Sequence, residues 1–79
     1  MGNVYANRYA AQIFAILSPL IGELMAKGAI RSQCNRLGIT EDGIEKQHIP
    51  VLAEGVKKAM TLFVGSEGAS QIEKRIRLI

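Results

Sequence analysis

Seventy-nine residues hold one domain at most, and a chain this short buries only about 60–65% of its unfolded surface, so its stability margin is thin. One cysteine, Cys34, and one histidine, His48, exclude an internal disulfide and a Cys/His zinc cluster, and fit a reducing compartment. The net charge of +3 lies in the first 40 residues, where Arg8, Lys27, Arg31 and Arg36 stand against Glu23 alone, and residues 41–79 balance to zero; a nucleic-acid binder usually carries a larger excess, clustered on one face.

Residues 4–37 hold the most apolar part of the chain. On a helix at about 100° per residue, Ala6, Ala10, Ile13, Leu17, Leu20, Leu24 and Gly28 fall in one band, widened by Phe14, Ile21 and Met25. A second line of small side chains, Ala11, Ala15, Ser18, Gly22, Ala26 and Ala29, would let a neighbouring helix approach closely. Both stripes keep their phase across Ser18-Pro19, which predicts one helix kinked there by loss of the bond to the Ala15 carbonyl. Straight to Leu37, it would run about 50 Å, against about 30 Å for a globule of this length. It therefore bends, or a second copy covers the excess. Ile30, Cys34 and Leu37 form their own line on another face, which places a further bend near Gly28.

Gly38 suits the residue after a helix end. Thr40 then caps a short helix over about 41–47, with Glu41 and Asp42 in its first turn and Ile39 and Ile44 as apolar contacts. Ile49-Pro50 ends that helix and starts the next, because a residue before proline avoids the helical region. Residues 50–64 place Leu52, Gly55, Val56, Ala59, Leu62 and Phe63 on one face, with Glu54, Lys57, Lys58 and Thr61 opposite. Gly65 ends this helix. Ser66 begins the last, with Ala69, Ile72, Ile76 and Ile79 inward and Glu73, Lys74, Arg75 and Arg77 outward. No period-2 alternation and no internal repeat stand out. The expected fold is all-α: a small bundle of four to five helices with a long or kinked N-terminal helix, in a single domain over 1–79.

Targeting signals are weak. Arg8 and the apolar run to Gly22 imitate a signal peptide without a small-x-small cleavage site. The run is also short of the roughly 20 residues a bilayer needs. Met1-Gly2 invites myristoylation, but Ala6 stands where Ser or Thr is wanted. The expectation is a cytoplasmic protein without a membrane partner.

No constellation carries catalysis. The segment 30–49 overlays partly on helix-turn-helix spacing through Cys34, Gly38 and Ile44, but Glu41, Asp42 and Glu45 would repel phosphate from its reading helix. Gly65, Ala69 and Ile72 stand at offsets of a helix-hairpin-helix clamp, yet Phe63 replaces its first glycine, so a capped turn between core helices fits better. His48 reads as a turn or capping residue, although Glu45 or Asp42 could orient it as a base. Cys34 reads as a buried small hydrophobe. No catalytic residue, metal ligand or cofactor is expected.

The function expected from these residues is a non-enzymatic helical protein–protein interaction module, pairing with its own copy through Ala11, Ala15, Ser18, Gly22, Ala26 and Ala29. The alternative is a nucleic-acid-associated protein using Lys57, Lys58, Lys74, Arg75 and Arg77 on the last two helices.

Overall fold

Two glycines set the architecture. The computed structural model describes residues 5–79, so the expected frayed end and the start of the first helix at Val4 lie outside the described residues. Three α-helices follow: α1 (Arg8–Ile21), α2 (Glu23–Leu37) and α3 (Ile49–Arg77), with two single 3-10 turns, Glu41–Gly43 and Lys46–His48, between α2 and α3. There is no strand among the described residues. The all-helical reading holds, but the count of four to five helices does not. Residues 41–47 wind only into 3-10 turns, and residues 49–77 form one helical run that bends at Gly65.

Helix α1 starts on Asn7, whose Oδ1 accepts the amides of Tyr9 and Ala10 at 2.9 and 3.1 Å. Its Nδ2 donates to the carbonyls of Asp42 and Ile44 at 3.0 and 2.9 Å, pinning the start of α1 to the turns before α3. The helix continues through Pro19, which lacks a donor but whose ring fixes a φ compatible with the helix. The chain turns three residues later, at Gly22, with φ +88° and ψ 158°. That region is open essentially only to glycine, so the break falls at Gly22 and not at the proline. Helical bonding resumes at once: the Gly22 amide donates to Ser18 and its carbonyl accepts from Ala26. No bend occurs at Gly28, which lies within α2.

Gly65 repeats the device at φ +81° and ψ 167°. Unbent, α1 and α2 together would span about 45 Å and α3 about 43 Å, yet the longest extent of the molecule is 29 Å. Each helical run is folded over its glycine. A shift of 43 residues pairs Gly22 with Gly65 and some of the buried positions of the two runs, Ala10 with Ala53, Ile13 with Val56, Leu17 with Met60 and Ala26 with Ala69, but not Ala11, Ile16, Ile30 or Cys34. The domain thus has two helix–glycine–helix halves, each folded at a positive-φ glycine.

Gly38, at φ +73°, closes α2 as expected, with Ile39 donating to the Cys34 carbonyl. The core joins Ile13 and Leu17 of α1, Ile30 and Cys34 of α2, and Leu52, Val56, Met60, Ile72 and Ile76 of α3, with Ile44 from the turn. The predicted inward stripes hold for Ala10, Ile13, Leu17, Ile30, Cys34, Leu52, Val56, Ala69, Ile72 and Ile76. They fail for Leu20, Leu24, Leu62 and Phe63, all of which are exposed. Phe63 was expected in the core and is 56% exposed, because the bend at Gly65 turns the Ala53 and Met60 side of α3 inward instead.

Candidate interaction surface

The bends leave an apolar surface open beside them. Leu20, Leu24 and Met25 flank Gly22, and Leu62 and Phe63 flank Gly65; all five are exposed. Leu24, Met25, Gly28 and Ala29 of α2 meet Ala59 and Phe63 of α3 around a cleft of about 230 Å³. Ser32 and Gln33 supply its polar lining, and no charged residue lines it. Gln33 is the one polar residue buried among those described, and it packs across Gly55, where a β-carbon would collide with its amide. Gly55, which borders the neighbouring hollow with Arg36 and Lys58, leaves room there for the Gln33 amide.

The small-residue stripe expected to form the self-pairing face is divided by the turn at Gly22. Ala26 is completely buried and Ala11 nearly so; Ser18 and Ala29 are half-buried; Ala15 and Gly22 are exposed. Periodicity read across residues 4–37 treats them as one helix, and the bend sends α1 and α2 in different directions.

The cations of α3 have different surroundings. Lys57 Nζ and Arg77 Nη2 both reach Glu73, at 3.6 and 2.9 Å. The Arg77 hydrogen bond, with the nearby Lys57, holds the Glu73 carboxyl below the usual carboxylate range. Lys58 borders a shallow hollow with Arg36 and Glu54. Arg75 borders another with Gln12 and Ile16 of α1, and Lys74 is exposed.

Sequence reasoning overlooked the cations of α2. Lys27, Arg31 and Arg36 are all exposed, with Gly28, Ser32 and Asn35 between them. Arg31 lies 3.5 Å from Glu41, in a hollow also lined by Tyr5, Leu24 and Lys27. The charge imbalance of the first 40 residues was the available signal; it could not say which face of α2 was inside.

His48 and Cys34 are structural. His48 Nδ1 accepts the Glu45 amide at 2.9 Å, while the His48 amide donates back to the Glu45 carbonyl, closing the second 3-10 turn. Cys34 is buried, and burial, with Glu41 adding to it, pushes its thiol pKa up. The Tyr5 hydroxyl is raised by burial and then by Glu41, with Arg31 opposing. Among the described residues no three His, Cys, Asp or Glu side chains gather as a metal site would require. No helix among them is long and apolar enough to cross a membrane. Comparison with known proteins finds no matching family model, no matching curated protein and no matching solved structure.

Proposed function

We propose that the protein is a non-enzymatic helical interaction module that receives a partner helix on the exposed side of α2 and in the cleft between α2 and Phe63. The observation that supports this is the exposure of Leu24, at 85%, beside a cleft whose lining carries no charge. Burying one such leucine contributes about 1.5–3 kcal/mol, so a partner that covers it gains binding energy at little electrostatic cost. Exposed apolar surface gathered in one place marks a contact site more often than scattered single residues do.

A homodimer was expected because a straight first helix would overhang its domain and leave its small face uncovered. Gly22 removes the overhang, and Ala26 is covered within the chain. Glu73 holds Lys57 and Arg77, so the nucleic-acid alternative would rest on Lys58, Lys74 and Arg75.

The test is titration of the isotope-labelled protein with a helical peptide bearing a leucine stripe. Amide shifts concentrated at Leu24, Met25, Gly28, Ala29 and Phe63 support the reading. Shifts elsewhere, or none, count against it.

A further inference from the structure

We infer that the helix received by this surface is acidic and amphipathic, with an apolar stripe over Leu24 and Gly28 and carboxylates meeting the cations on either side. The inference rests on the interaction reading above and supplies the chemistry of the partner.

Around α2, with Lys27 set at zero and about 100° per residue, Arg31 lies at about 40°, Leu24 at about 60° and Gly28 at about 100°. Met25 lies at about 160° and Arg36 at about 180° on the same scale. All of these side chains are exposed. The solvent face of α2 therefore carries cations at both borders, with Leu24 and Met25 just inside them and Asn35, Gly28 and Ser32, at about 80°, 100° and 140°, along its low centre. Gly28 is the low point: a β-carbon there would meet nothing within 4 Å. A crossing helix can come closest where side chains are smallest. Hollows of about 440 and 400 Å³ lie on its two sides, the first bordered by Lys27 and Arg31, the second by Arg31 and Arg36. The only acid on α2 is Glu23, its first residue.

One border already takes a carboxylate. Glu41 pairs with Arg31 at 3.5 Å, and the Arg31 side chain remains 75% exposed, with donors free for a second acid. A second copy of the chain fits poorly, because a two-fold axis through Gly28 would set the Lys27 and Arg31 border against itself. A phosphate backbone fits less well, because Ser32 and Asn35 could donate to it but Leu24, 85% exposed, and Met25 would stay uncovered or face charge.

The probes are two synthetic helical peptides with the same leucine and alanine stripe, one flanked by glutamate and the other by lysine, titrated against the intact protein by fluorescence anisotropy. The glutamate peptide is expected to bind about tenfold tighter at low salt, the gap closing as salt is added. Lys27→Glu with Arg36→Glu should reverse the preference. Gly28→Leu, which fills open space and leaves the fold intact, should weaken the glutamate peptide about tenfold by raising the low point of the face. Equal binding of both peptides, both weakened by Gly28→Leu, overturns the acidic partner and leaves the apolar surface standing. Failure of both peptides to bind, or indifference to Gly28→Leu, overturns the two together. Displacement of the glutamate peptide by duplex DNA at physiological salt overturns the inference in favour of a phosphate backbone.

Discussion

Lys57 Nζ lies 3.6 Å from Glu73 Oε1 within a single helical run, although sixteen residues of straight helix would hold the two residues about 24 Å apart. The contact is possible because Gly65 folds α3 over itself and brings its second arm beside its first. Arg77 joins the pair one turn further on, through Nε and Nη2 to the same carboxylate.

Acid should loosen this fold-back. The folded Glu73 pKa is depressed, so its stabilising contribution is present above the unfolded carboxylate value and is lost as pH falls through the folded one. Melting followed by circular dichroism should show stability declining as the pH drops below about 4.3, the unfolded glutamate value. Glu73→Gln should flatten that decline, and an unaltered acid limb in this variant would show that the ion pairs contribute nothing.

The glycines should divide into two classes. Gly22→Ala and Gly65→Ala place a β-carbon at φ near +85° and should each cost about 1–3 kcal/mol, although nothing crowds the site. Gly28→Ala, in the helical interior of α2 and in open space, should instead stabilise by about 1 kcal/mol. Urea midpoints of the three variants decide it; the same sign for all three would contradict the backbone assignment.

Core and surface should separate at Leu17 and Phe63. Leu17→Ala empties a fully buried site and should cost about 2–5 kcal/mol, a large part of the total for a domain this small. Phe63→Ala should cost far less, on the order of 1 kcal/mol or below, because the ring is more than half exposed. Equal losses in denaturant titrations would return Phe63 to the core.

Much of the architecture is legible residue by residue. Gly38 ends α2, Pro50 sits at the start of α3, and Ala69, Ile72 and Ile76 face inward, because each depends on local conformation or on periodicity within one straight helix. Leu24 misleads because its place in the stripe assumes that the phase of α1 continues past Gly22. Phe63 misleads for a different reason. Two apolar sectors compete on the first arm of α3, and the packing of the second arm chooses Met60 over Phe63. The proposed surface includes both Leu24 and Phe63, so it comes into view only once the bends are known.

Asn7 should matter more than an ordinary cap. Asn7→Asp keeps the acceptor for Tyr9 and Ala10 but loses the two donors to Asp42 and Ile44. It should fall between wild type and Asn7→Ala, which should cost about 2 kcal/mol, the upper range for a helix cap. Thermal unfolding of the three proteins gives the order, and equivalence of Asn7→Asp with wild type would show the bridge to the turns to be idle.

The single-residue apices at Gly22 and Gly65 also bear on how fast the chain finds its native state. Within each half, the two helices that must meet are neighbours in sequence, with no loop to close between them, so little chain entropy is lost before their contacts form. Helical proteins dominated by such local contacts fold in microseconds to milliseconds. The slower event should be the docking of one half on the other across residues 38–48, where Ile44 and the Asn7 bridge are made. Substitutions at Ile44 should therefore slow folding.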